Sequence, residues 1–173
     1  MTMLASSMLC VFLGLGGAGL CAAQNPDNGV PAKDIDSRIE ESVKDTLRAN
    51  QGLQWEIRDS RRLGQAISEL VFETRIGLRL VVLTTRLEFM QSGQDAEARL
   101  NFIARATSEG GKAVAGVGEA AFIWSSAGFA SVRFRQGSVV AVVTVADDQS
   151  TDDQSATVTA FAQDVALGID NAD

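Results

Sequence analysis

Four carboxylates fall within seven residues at Asp147, Asp148, Asp152 and Asp153, where Asp147-Asp148-Gln149-Ser150-Thr151 is nearly repeated by Asp152-Asp153-Gln154-Ser155-Ala156. Such a cluster can ligate calcium, a hard cation that takes about six to eight oxygens. No glycine makes the sharp turn of a calcium loop, however. Thr159 also stands at the twelfth position from Asp148, where a bidentate glutamate is needed. The stretch therefore reads as a solvated loop leading into a helix capped by Asp153 or Ser155, and no metal site is expected. Two glycine motifs fail on similar grounds. Gly116-Val117-Gly118-Glu119-Ala120-Ala121 matches a dinucleotide fingerprint as a string, but the strand-like Phe122-Ile123-Trp124 follows where a helix is required. Gly110-Gly111-Lys112 is followed by Ala113, which has no hydroxyl to meet magnesium. Neither motif calls for a cofactor.

The guanidiniums are more suggestive. Arg58, Arg61, Arg62, Arg75, Arg79 and Arg86 crowd the first half, and Arg133 and Arg135 alternate with Val132 and Phe134. On adjacent antiparallel strands some of them would share a face able to bind carboxylate or phosphate through the guanidinium fork. The alternative is that they pair across strands with Glu69, Glu73 and Glu88. Arg79 and Arg86, together with Phe122 and Trp124 in the Gly116–Ala127 region, are the expected binding residues. Trp124 could instead pack in the core beside Trp55, as large aromatics usually do.

Catalysis has few reagents here. The sequence has no histidine, and both of its cysteines, Cys10 and Cys21, lie near its start. The common general base near neutral pH and the thiolate nucleophile are therefore absent from residues 24–173. Glu69, Glu73, Glu88 and Glu119 could supply a carboxylate pair for glycoside hydrolysis. Lys112 with Ser125-Ser126 could form a Ser–Lys pair, although nothing in the spacing argues for one. A non-enzyme is the expectation.

The elements that must position these residues can be read from periodicity. Ile35, Ile39, Val43 and Leu47 recur every four residues and predict a helix from Asp34, with Gly52 as its stop and Glu40–Lys44 as a surface pair. Leu53, Trp55 and Ile57 alternate as a strand. Ser60 to Arg75 reads as a loop followed by a strand. Leu78 to Gln91 reads as a central strand, with Val81, Leu83, Leu87 and Phe89 on one side and Leu78, Leu80 and Val82 on the other. Gln94 to Glu109 predicts a helix built on Leu100, Ile103 and Thr107 and closed by Gly110-Gly111. Strands follow at Ala120–Trp124, Phe129–Arg135 and Ser138–Ala146, with a tight turn at Arg135-Gln136-Gly137-Ser138. A helix over Ala156–Ile169 turns Val158, Phe161, Ala162, Val165 and Ile169 to one side. No repeat of domain scale is present. Strands with helices between and after them imply an α+β fold, a mainly antiparallel sheet with helices packed on it.

The first 23 residues carry no charged side chain, hold the apolar run Met8 to Leu15 and end in Leu20-Cys21-Ala22-Ala23. They read as a signal peptide cleaved after Ala23, followed by a flexible arm over 24–33 and a single domain over 34–173. Lipidation at Cys21 is disfavoured by the bulky Leu20. The expected location is periplasmic or secreted, with no stable membrane insertion of the mature chain. The net charge of −7 resides entirely after the leader and argues against nucleic acid or anionic membranes as partners.

The segments Val114-Ala115-Gly116-Val117-Gly118-Glu119-Ala120-Ala121-Phe122 and Ala130-Ser131-Val132-Arg133-Phe134-Arg135-Gln136-Gly137-Ser138-Val139-Val140 carry a resemblance. They are similar to a pattern in small exported bacterial proteins and lipoproteins of unknown function, roughly V-x-G-L-G-D-E-A, then a strand, then L-x-V-R-K-G-N-x-V-V and an alanine-rich helix. The pattern's Asp before the glutamate is missing here, as are the cysteines some members carry. The resemblance implies a PsbP-like α+β fold and an accessory, sensing or binding role, and it transfers no catalytic residues. The expected function is a non-catalytic envelope domain binding a partner protein or small ligand. The alternative is a carboxylate-based hydrolase acting on envelope polysaccharide.

Overall fold

Antiparallel pairing between sequence neighbours accounts for most of the architecture. In the computed structural model, residues 32–51, 55–64, 66–76, 78–106 and 111–172 are described. The elements run α1 (Ala32–Gln51), β1 (Glu56–Arg62), β2 (Ile67–Ile76), β3 (Arg79–Phe89), α2 (Gly93–Ala106), β4 (Lys112–Ala113), β5 (Ala120–Ser126), β6 (Phe129–Gln136), β7 (Val139–Asp147) and α3 (Ser155–Asp170). The strands form one seven-stranded sheet in the order β1-β2-β3-β7-β6-β5-β4. Every pairing is antiparallel. The α+β class expected from the sequence is the one observed.

Strand alternation sorts the side chains into two layers. Leu70 and Phe72 from β2, Val81, Leu83 and Leu87 from β3, Val132 and Phe134 from β6, and Val143 and Val145 from β7 point to one side. There they meet Ile39, Val43 and Leu47 of α1 and Val158, Phe161, Ala162, Val165 and Ile169 of α3. Trp55 closes this layer edge-on to Phe161, with ring centroids 5.1 Å apart. The two helices touch where Gly168 faces Val43; a Cβ there would lie 2.7 Å from the Val43 Cα. Within α1, Lys44 Nζ pairs with Glu40 at 3.0 Å, and the helix is tied to β1 by Ser60 Oγ, which donates to Glu40 at 2.9 Å, and by Arg62, 3.7 Å from both Asp36 and Glu40.

Among the described residues, α2 is the helix on the second side, where it packs on β6 and β7. Ser92 starts it: the Asp95 backbone N–H donates to Ser92 Oγ at 3.2 Å, and the Ser92 hydroxyl donates back to the Asp95 carboxylate at 2.7 Å. That reciprocal cap satisfies one of the orphan donors of a helix start. Ala96 and Leu100 bury against this side, and Val140 is fully covered.

Several expectations shift at their edges. β1 continues through Arg62, so Ser60–Arg62 belong to a strand, and β2 begins only at Ile67. α1 starts two residues before Asp34. The two-residue strand β4 has no hydrophobic pattern of its own and exists by pairing with Phe122 and Ile123. Residues 1–31, on which the expected signal peptide and most of the expected arm fall, together with Gly52, Leu53 and Thr107 to Gly110, lie outside the described residues.

Candidate functional site

Register places the expected binding residues. Crossing β3, β7, β6 and β5 on the α2 side, one row reads Arg86, Val142, Arg133 and Phe122. The next reads Thr84, Thr144, Ser131 and Trp124. A third reads Val82, Ala146, Phe129 and Ser126. Arg86, Phe122 and Trp124 therefore share one face.

Arg79 does not join them. It lies seven residues from Arg86 along the same strand, and an odd separation puts the two on opposite faces. Its guanidinium Nε donates to both carboxylate oxygens of Asp147, at 2.8 and 2.6 Å, and Nη2 adds a further contact. That contact holds the Asp147 carboxyl below its ordinary range; burial opposes the shift, and the Gln149 backbone N–H at 3.2 Å supports it. Arg79 is thus a fastening at the end of β7 and is withdrawn from the binding face.

The acidic loop is divided among separate partners. Asp147 takes Arg79, Asp148 accepts from the Leu80 backbone N–H at 3.4 Å, and Asp153 accepts from the Ser155 backbone N–H at 2.9 Å. Gln154 occupies the N-cap of α3 without a side-chain cap bond, so Asp153 acts from one position earlier than a cap residue would. No three such side chains gather into a metal cage among the described residues. The glycine motif at 116–121 leads into β5, and Gly116 and Gly118 have φ of +77° and +52°. At Gly118 a Cβ would lie 2.5 Å from the Arg135 carbonyl oxygen, so this turn needs glycine for closeness as well as for conformation.

The glutamates that could have acted as acids or bases are all engaged. Arg58 meets Glu73 at 2.9 Å, Arg61 meets Glu69 at 3.3 Å, and Arg135 meets Glu119. Glu88 is buried between Arg86 at 3.1 Å and Arg99 at 2.8 Å. Burial pushes its carboxyl upward, but the hydrogen bonds and charges of Arg99 and Arg86 prevail and hold it below the usual range. Cross-strand pairing, the plainer alternative for the arginines, thus accounts for Arg58 and Arg61, while Arg86 pairs with Glu88 two residues along its own strand.

Arg133 is held differently. Among the described residues no carboxylate lies within ion-pair distance of it. Its guanidinium instead sits over the Trp124 ring, 4.7 Å from the centroid. Phe122 adjoins the same indole at 6.3 Å, tilted by 46°. Gly111 lies against the indole, where a Cβ would come within 2.5 Å of ring carbon. Both Arg133 Nε and Trp124 Nε1 are buried without an acceptor. Burial and the nearby Arg99 charge lower the guanidinium's proton affinity, with Glu88 partly offsetting them.

Trp124 does not pack beside Trp55, because the two indoles lie on opposite sides of the sheet. The role of Arg133 was not singled out from the sequence, although a signal existed. The two-residue connection Ala127-Gly128 sets Ser126 opposite Phe129, and counting back from it sets Phe122 opposite Arg133. α2 covers the end of the face around Glu88 and Val140. Among the described residues no element packs over Val71, Val82, Thr84, Thr144 and Ala146, which are all partly exposed. Compared with known proteins, the chain matches no family model, no curated protein and no solved structure, so its own geometry has to carry any assignment.

Proposed function

We propose that this chain is an exported, non-catalytic binding domain of the cell envelope, and that the uncovered rows on the α2 side of its sheet form the contact surface for a partner protein or small ligand. The observation that carries the reading is the composition of those rows. Val82 and Thr84 of β3 and Val142, Thr144 and Ala146 of β7 leave the middle of that face without charge, bordered by Glu69, Val71 and Glu73 of β2, where a solvent face ordinarily carries charge. β-Branched side chains hold few rotamers, so such a face loses little entropy when it is covered. The ion pairing of Glu69, Glu73, Glu88 and Glu119 supports a role without acid–base chemistry. The uncharged leader ending in Ala22-Ala23 supports export, and the resemblance of residues 114–140 to small exported proteins with a PsbP-like fold points the same way. No helix among the described residues is long and apolar enough to cross a membrane.

The test is capture from envelope extract followed by titration of the captured molecule, purified, against variants. Thr84→Glu with Thr144→Glu should abolish saturable binding, while Asn101→Glu on the exposed side of α2 should leave it intact. Equal binding by both variants would remove this face from consideration.

A further inference from the structure

Resting on that reading of the face, we propose that Arg133 and Trp124 receive the carboxylate of a small monoanionic ligand whose flat apolar body lies against Phe122 and Trp124. The indole N–H and the guanidinium N–H groups are donors only. What the pair lacks is an acceptor, and two neighbouring buried donors without one are costly to keep. Charge then selects the kind of acceptor. On this face Arg61 is matched by Asp59 and Glu69, while Arg86 and Arg99 share Glu88. Arg61 and its two carboxylates lie on β1 and β2, at the far end of the sheet from β6, so beside Arg133 three guanidiniums (Arg86, Arg99 and Arg133) stand against Glu88 alone and the site is short of negative charge.

A carboxylate supplies one negative charge and two coplanar oxygens that suit one guanidinium fork. Burial first and the Arg99 charge second lower the proton affinity of Arg133, as befits a cation held away from water beside another cation. Apolar surface is at hand on the same side: Phe122 adjoins the indole. Phe102, 65% exposed, follows Arg99 by three positions on α2, so the two are neighbours on that helix.

The probe is benzoate, read by fluorescence in a Trp55→Phe background that leaves Trp124 as the sole indole of the chain's two. Benzoate should change the emission saturably, with a Kd of about 1 mM. Benzamide, the neutral counterpart of the same shape, should not. Arg133→Gln should weaken binding at least about tenfold, and Arg133→Lys, which keeps the charge but loses the fork, should fall between; the lysine variant decides the matter if the glutamine variant does not fold.

Benzamide equal to benzoate, inorganic phosphate competing as well as benzoate, or an Arg133→Lys titration indistinguishable from the parent would each overturn the assignment. A partner lost on Thr84→Glu with Thr144→Glu while benzoate fails to bind would discard the carboxylate and keep the face. Benzoate binding with partner capture unaffected by those two substitutions would do the reverse.

Discussion

Thr85 sets a hydroxyl in the apolar layer between the sheet and the helix pair α1 and α3, fully buried and without a hydrogen-bond partner. Valine has nearly the same shape and removes the unmatched donor. Thr85→Val should therefore raise stability by about 1 kcal/mol, measured by urea unfolding; a loss of stability would mean that the hydroxyl is satisfied in solution. Glu88 makes the opposite case. It is buried, and its two arginines are 36% and 37% exposed, so solvent screens part of the attraction. Glu88→Gln should cost about 1–2 kcal/mol at neutral pH, less than a fully buried pair. Because the folded state holds this carboxyl below the usual range, the unfolded chain binds the proton more readily. The contribution is complete above a pH of about 4 and disappears as the pH falls through the lower folded value. Denaturation of parent and variant should consequently diverge at pH 7 and converge in acid.

At the scale of elements, the α1–α3 contact depends on an absent side chain. Alanine is preferred over glycine inside a helix by about 1 kcal/mol. At Gly168, however, its Cβ would meet the Val43 backbone at 2.7 Å and Val43 Cγ2 at 3.1 Å. Backbone cannot rotate away, so the helices must separate. Gly168→Ala should be destabilising by about 1–2 kcal/mol despite its better propensity, with thermal melting as the readout; an unchanged or raised Tm would show that the two helices slide at little cost. The outer strand β1 follows a different logic. Glu56, Arg58, Asp59, Arg61 and Arg62 occupy five of its seven positions, and charge at that density blunts an edge that could otherwise recruit another chain.

Over the whole molecule, one apolar layer connects α1, the sheet and α3. Both cysteines, Cys10 and Cys21, precede residue 24. Residues 24–173 should accordingly unfold in one cooperative transition whose midpoint is the same with and without reductant. Two resolved transitions in calorimetry would show that the half bearing α1 and β1 unfolds separately. The sheet's two faces divide the labour: one is sealed by two helices, and the other is left half open by α2.

Local pattern made much of this legible. The two-residue alternation of β3 assigned Val81, Leu83 and Leu87 to one side, and the spacing of Val158, Phe161, Val165 and Ile169 gave α3 its buried stripe; both follow from the geometry of a single element. The same alternation, applied strictly, also separates Arg79 from Arg86. Other features lay beyond local pattern. Strand order brings β7 between β3 and β6, and thereby delivers Asp147 to Arg79 and Val142 between Arg86 and Arg133. Glu88 found its second arginine on a helix eleven residues away. Composition counts charges but does not pair them. That Arg133 meets an indole and no carboxylate was decided only when the sheet closed its register, because that contact depends on neighbours far apart in the chain, whereas periodicity reports only on neighbours along it.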